Sequence, residues 1–237
     1  MFVHDEGACE LNMLEVLDDP VGQSLRGAHA HLARWSGNAA TYQEGVSTFV
    51  AVPVRPTPAD WDDLAQLLGS GGFADLFSAD VTPPASWEPV FELDGFQMVF
   101  DGPRPEARAE GVVELGAGDV EDMLALTELA RPGPFWARTA ELGAFHGVRE
   151  DGVLVAMAGE RLRPPGWTEI SAVCTAPHAR GRGLAAHVTR AAVDRIAGRG
   201  ERPFLHVAAS NTGAIRVYER LGFVVRRPVR FHGYRVP

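Results

Sequence analysis

The sequence predicts a mixed α/β fold, and three observations carry the prediction. Runs of β-branched and aromatic residues alternate with runs of helical periodicity along most of the 237 residues. Between Thr168 and Ile196 a strand, a glycine-rich turn and a helix follow directly on one another. Two Asp-Gly pairs, Asp94-Gly95 and Asp151-Gly152, each stand between apolar runs. That pattern is the usual signal of a β-hairpin.

In chain order, Leu11 to Leu17 is a short periodic segment ending at Asp18-Asp19-Pro20, and Val21 to Trp35 reads as a second helix. His29 and His31 lie two apart, on different faces of such a helix, which favours surface or core histidines over a metal pair. Thr48 to Val54 reads as a strand. Thr57 caps a helix carrying Trp61, Leu64, Leu67 and Leu68, and Gly69 to Gly72 stops it. Phe73 to Phe77 is a further strand, and Val90–Leu93 and Phe96–Phe100 form the first expected hairpin. Asp101 to Glu110 is polar and proline-bearing, which reads as a linker. It divides residues 1–105, a mixed α/β region without a catalytic motif, from residues 106–237. The second part runs as strand (Gly111–Leu115), helix (from Asp119), short helix (Phe135–Leu142), hairpin (Ala144–Arg149 and Val153–Arg161), strand, helix, strand (Phe204–Val207), helix and strand.

Bulk properties narrow the function. Hydrophobic residues make up 46% and charged residues 22%, ordinary for a globular chain. The net charge of −9 argues against non-specific nucleic-acid binding, which needs a basic surface. All 22 basic residues are arginine, so lysine chemistry is excluded. The two cysteines, Cys9 and Cys174, make neither a disulfide framework nor a zinc spacing, and no metal site is expected. The acidic N-terminus lacks the apolar run of a secretory leader, and no stretch approaches membrane-spanning length. A cytoplasmic protein without membrane partners is expected.

The turn at Arg180-Gly181-Arg182-Gly183-Leu184-Ala185-Ala186 carries the chemistry. Its glycines allow a sharp turn and a close backbone approach, and the helix that follows presents unpaired N–H groups that suit a phosphate. A P-loop needs a lysine, which the chain lacks. Gly181-x-Gly183-x-x-Ala186 fits a loose dinucleotide fingerprint, but the turn does not follow its strand directly and no acidic residue ends the next strand. A dinucleotide-dependent oxidoreductase is therefore disfavoured. The third pattern is Arg/Gln-x-x-Gly-x-Gly/Ala, matched by Arg180, Gly183 and Ala185. A second signature follows in Asn211, Ala214, Tyr218 and Leu221-Gly222-Phe223.

Together the two signatures resemble the GNAT superfamily of N-acetyltransferases, over roughly Gly111 to Arg230. The resemblance implies a GNAT-like acyltransferase fold, with a mixed sheet that splays open at its central strand, and acetyl-CoA as cosubstrate. Val173, Cys174 and Thr175 would meet the pantetheine arm, and the backbone from Arg180 through Gly181, Arg182, Gly183, Leu184 and Ala185 to Ala186 the pyrophosphate. Arg182 either adds charge there or points into solvent. Asn211 caps the next helix or reaches the cofactor. Cys174 reads as a small core hydrophobe rather than a nucleophile. Tyr218 is either a core aromatic or the acid that protonates the departing thiolate.

Glu160 and Glu169 are the candidate general bases, unless they pair with arginines, and His206 is similarly ambiguous. Phe135 and Trp136, with Arg131 and Arg138, either recognise a carboxylate-bearing acceptor or anchor a loop. The implied activity is acetyl transfer to a primary amine on a small molecule or peptide, by direct attack in a ternary complex. The alternative is a non-catalytic acyl-CoA-binding protein. A homodimer is compatible with either.

Overall fold

The structure is a computed structural model that describes residues 14–104 and 110–237. The beginning of the Leu11–Leu17 segment, Cys9, and residues 105–109 of the expected linker lie outside the described residues.

Helix α1 (Pro20–Arg26) starts where proline is tolerated, and the Asp19 carboxylate accepts a bond from the Gly22 amide at 3.0 Å. The helix does not run on to Trp35. Gly27 ends it, and Ala33 onward turns instead into β1 (Ala33–Ser36), paired with β2 (Ala39–Tyr42) through a turn with Gly37 at φ +51°. Of the expected Thr48–Val54 strand only β3 (Val50–Ala51) is paired in a sheet, beside β2; Pro53, which has no N–H to give, follows it. Helix α2 (Pro58–Leu68) has the expected cap. Thr57 and Asp60 exchange bonds, with Asp60 Oδ2 accepting from the Thr57 amide at 2.7 Å.

The main sheet has eight strands: β4 (Phe73–Phe77), β5 (Glu88–Phe100), β6 (Val112–Leu115), β7 (Phe145–Glu150), β8 (Val153–Glu160), β9 (Trp167–Thr175), β10 (Arg202–Ala208) and β11 (Phe223–Arg235). Their spatial order is β4-β11-β5-β10-β9-β8-β7-β6. Every neighbour is antiparallel except β9 and β10. Helix α3 (Val120–Ala130) follows β6, α4 (Leu184–Gly198) follows β9, and α5 (Thr212–Leu221) follows β10. The expected hairpin at Asp151-Gly152 is present, both residues at positive φ as a tight two-residue turn requires. The expected helix at Phe135–Leu142 is reduced to a 3₁₀ turn, Thr139–Leu142. Pro132 and Pro134 disfavour helix before it, and the Trp136 amide is taken by Thr139 Oγ1 at 2.9 Å.

The Asp94-Gly95 signal does not make a hairpin. β5 runs straight through it, pairing with β11 from Phe100↔Phe223 to Glu88↔Arg235. Gly95 is there for space. A Cβ on it would sit 2.3 Å from the Phe231 ring and 2.8 Å from the Val207 carbonyl oxygen. The aromatic packing across the sheet claims the room that a side chain would occupy.

Alternation along β10 separates the two faces. Leu205 and Val207 pack with Val188, Ala192 and Ile196 of α4. On the other face Phe204 joins Trp167, Phe49, Tyr42 and Leu25, so the N-terminal segment covers that side. The boundary expected at residues 105/106 therefore does not separate two sheets. β5, from the first part, lies between β10 and β11 of the second. A chain cut to residues 106–237 would leave three strand edges open, one on β10 and both on β11, and strip one face of its cover. Calorimetry of that fragment should show no cooperative unfolding transition; a sharp transition would restore the two-domain division.

Candidate active site

The site forms where the sheet opens. β9 and β10 are paired over only three residues, Trp167↔Arg202 to Glu169↔Phe204. Beyond Glu169 the strands part, and β10 stays with β5. β9 is also bulged. Ser171 faces Gly159 and Cys174 faces Met157, so Ala172 and Val173 together stand opposite Ala158. Ala172 takes φ +51° in that bulge, a left-handed conformation that costs a non-glycine residue roughly 1–2 kcal/mol. From Ile170 onward one backbone edge of β9 faces a cleft instead of a strand.

On the helix side of the fork lies an open groove with a cavity volume of about 660 Å³. Val173, Cys174 and Thr175 form one wall, and Arg180, Gly181, Gly183, Leu184, Ala185 and Ala186 form the end. Gly181 and Gly183 sit at φ +77° and +79°, and a Cβ on either would meet nothing within 4 Å. They are needed for the turn, and the space above them is open. Gly183 caps α4 without a side-chain bond, and the first intrahelical bond runs from His187 N to Gly183 O. The amides of Leu184 to Ala186 are thus the unsatisfied donors of a 15-residue helix, concentrated at the positive end of its dipole.

The side chains sort differently from the backbone. Arg180 lines the groove and donates to the Thr175 carbonyl at 3.3 Å. Arg182 is outside the lining and forks onto Glu150 at 2.6 and 3.0 Å. Its lining counterpart is Arg220, on one helical stripe with Gly213 and Val217 of α5, which the motif reading passes over. Asn211 does cap α5, its Oδ1 accepting from the Ala214 amide at 3.1 Å, and it also lines the groove. Burial pushes the Cys174 thiol up to about 12, so it stays protonated and is not a nucleophile.

Across the fork from the groove lies an inner chamber of about 360 Å³, the two sharing Val173, Ala185, Asn211, Ala214 and Val217 as walls. Tyr218 lines the chamber from α5, and burial pushes its hydroxyl up to about 12. The far side is made by Phe77, Phe91, Leu93 and Phe231, and a rim by Pro132 to Pro134. The ionisable side chains of the lining, besides Tyr218, are Arg161, His206 and Asp75.

Glu169, at the vertex of the fork, is fully buried and does not line the chamber. Arg161 grips it with two bonds of 2.8 and 2.6 Å, and His206 Nδ1 lies 2.6 Å from its Oε1. Burial opposes ionisation of Glu169, but the Arg161 charge and bonds, joined by His206, outweigh it and hold the carboxyl down at about 2. His206 is lowered by burial, and its Nε2 sits 3.2 Å from both Ser78 Oγ and the Gln97 amide nitrogen. Those partners assign a neutral ring that donates from Nδ1 and accepts at Nε2. Glu160 is likewise committed, to Arg199 at 2.7 Å. Both candidate bases are thus held in arginine pairs. Arg138 is forked onto Glu141 at 2.7 and 2.8 Å, and neither it nor Arg131 lines the chamber. Phe135 packs edge-on against Phe145, so this loop is anchored by its aromatic.

Glu169→Gln tests the vertex. The native carboxyl lies below its ordinary 4.5, so its stabilisation is present above that value and lost as pH falls from 4.5 toward 2. Removing one partner of a buried ion pair typically costs about 3–5 kcal/mol. The substitution should cost about that much at pH 7, and its effect should shrink in acid. Equal denaturation midpoints for the two proteins at pH 7 would mean that Arg161 does not depend on Glu169.

Comparison with known proteins agrees with this geometry. The model of a family described as FR47-like protein matches residues 142–235. A solved structure of a putative GNAT-family acetyltransferase from Novosphingobium aromaticivorans is 41% identical, covers 94% of this chain and 99% of its own, and superposes with a TM-score of 0.85. A GCN5-related N-acetyltransferase from Kribbella flavida, at 21% identity, shares the fold over 92% of this chain and 95% of its own with a TM-score of 0.62. The mycothiol acetyltransferase of Mycobacteroides abscessus is 36% identical over 112 residues, 46% of this chain. The match spans about a third, 34%, of that relative's length.

Proposed function

Since the chain belongs to the GNAT family of acetyltransferases, we propose that it binds acetyl-CoA in the outer groove and passes the acetyl group to a primary amine in the inner chamber. The observation that carries this reading is that the two cavities flank the fork and share Val173, Ala185, Asn211, Ala214 and Val217 as walls. A ternary complex needs two entrances and one meeting point. The meeting point here lies beside Val173, Ala185 and Tyr218.

The amides of Leu184 to Ala186 would hold the pyrophosphate, each charge-assisted bond contributing about 1.5–3 kcal/mol. The free edge of β9 would pair with the pantetheine arm as an added strand does. The amine nitrogen attacks the thioester carbonyl carbon, and the C–S bond breaks. Tyr218, protonated at any ordinary pH, is positioned to donate to the departing sulfur. A thiol of ordinary pKa about 8.5 would be a poor match for so weak an acid. Leaving into a largely apolar site, a thiolate is itself destabilised by desolvation, which raises its pKa. The gap between donor and acceptor narrows accordingly.

Two measurements test this. Gly183→Val forces a β-branched residue to φ +79° and fills the space above the turn. It should weaken acetyl-CoA binding at least about tenfold by calorimetry, since the loss of a single charge-assisted bond already amounts to that. Unchanged affinity would place the cofactor elsewhere. Tyr218→Phe keeps the ring and its packing on Phe223. Turnover should fall by about 10²-fold or more, while acetyl-CoA affinity and melting temperature hold. Wild-type turnover in this variant would make Tyr218 a core residue only, and binding without turnover of any amine would favour the non-catalytic alternative.

A further inference from the structure

The inner chamber contains one carboxylate that no other part of the site accounts for. Asp75 lies on β4, opposite Gly233 of β11, and is 5% exposed. Its Oδ2 accepts from Thr48 Oγ1 at 3.1 Å. Its Oδ1 is buried and has no hydrogen-bond partner among the described residues. A buried carboxylate oxygen left in that condition is costly, and such groups concentrate where a ligand completes them.

The groups around it fix the sign of the charge. Arg161 faces the chamber, but both its Nε and Nη2 are bound to Glu169, and its guanidinium lies 4.4 Å from the Phe77 ring centroid. His206 is neutral for the reasons given above. Arg161 is forked onto Glu169, so Asp75 is the carboxylate of the chamber lining to which no arginine among the described residues is bound. Burial raises the Asp75 carboxyl to about 6, against the opposing pull of Thr48 and Arg161. It is therefore ionised at neutral pH yet poised to take a proton. The rest of the wall is apolar: Phe77, Phe91, Leu93 and Phe231.

We infer that Asp75 binds the ammonium of the acceptor and removes its proton, and that the acceptor is a primary amine on an apolar body without a carboxylate beside the nitrogen. This rests on the acetyl-transfer reading above. The protons balance with solvent water as carrier. R–NH₃⁺ gives one proton to the Asp75 carboxylate, and the neutral nitrogen forms the N–C bond. As the C–S bond breaks, Tyr218 gives its proton to sulfur, the second nitrogen proton passes to water, Tyr218 is reprotonated from water, and Asp75 returns its proton to solvent after product leaves. A carboxylate next to the amine would face the Asp75 charge, while the arginine of the chamber lining is already forked onto Glu169.

The full-length protein can be tested with 2-phenylethylamine as probe, 2-phenylethanol as its neutral isostere and phenylalanine as its carboxylated form. With CoA bound, calorimetry should show 2-phenylethylamine binding at least about tenfold tighter than 2-phenylethanol, the factor given by one charge-assisted bond. With acetyl-CoA, free-thiol release should be at least about tenfold faster per mole of 2-phenylethylamine than of phenylalanine, by the same reasoning. Asp75→Asn should abolish the preference for the ammonium and lower kcat/KM for 2-phenylethylamine by about 10²–10⁴-fold, with acetyl-CoA affinity unchanged. Equal binding of amine and alcohol by the wild type, preference for phenylalanine, or near-wild-type turnover by Asp75→Asn would overturn the inference. The wild-type comparison decides it even if the variant does not fold. Asp75-dependent binding of 2-phenylethylamine by a protein that does not bind acetyl-CoA would keep this site and defeat the transferase reading.

Discussion

The rest of the site depends on the short parallel pairing between β9 and β10. Three residues of each strand hold together, and the strands then separate around two cavities. Had the pairing continued, the β9 edge would be consumed by a ladder and the groove and chamber would not meet. The vertex falls at Glu169, whose carboxylate is tied to Arg161 and to His206 on the strand across the fork. A buried charge is costly unless paired and hydrogen-bonded, and here it is both. The bulge at Ala172–Val173 turns the freed edge toward the cleft at the expense of a strained φ.

The two cavities solve opposite electrostatic problems with different parts. The groove suits a polyanion through backbone: helix amides at a dipole's positive end, with Arg180 and Arg220 among the side chains that line it. Backbone donors are fixed by the helix itself and need no rotamer ordering. The chamber works through side chains in an apolar wall. Its Arg161 is bound to Glu169, and Asp75 is the one carboxylate in its lining among the described residues. Low polarity makes that single carboxylate count for more than it would at the surface.

The N-terminal hundred residues contribute both to the sheet and to the chamber lining. They supply β5, which stands between β10 and β11, and they cover the face of the sheet that carries Trp167 and Phe204. They also bring Asp75, Phe77, Phe91 and Leu93 into the chamber. Among the described residues no helix is long and apolar enough to cross a membrane. Burial in this chain is used instead to enclose the sheet on both sides.

Local chemistry made much of this legible in advance. The glycines at 181 and 183, the helix they open, the Asn211 cap and the left-handed Gly222 are consequences of what a few adjacent residues can do, so their motif reads directly as geometry. The Asp151-Gly152 turn is of the same kind. The Asp94-Gly95 pair is not: the identical dipeptide lies inside a straight strand because Phe231, 136 positions away, needs the space over Gly95. A turn signal is a local preference, and a long ladder with β11 outweighs it. The same limit applies to the charges. Sequence names Glu160, Glu169 and the arginines as candidates, but which of them pair is decided by the fold, through the β8–β9 pairing for Arg161 and Glu169 and the end of α4 for Arg199 and Glu160. Asp75 carries no motif whatever. Its significance comes from being carried by β4 into an apolar chamber, facing a fork formed more than ninety residues later, and only the folded chain brings those two together.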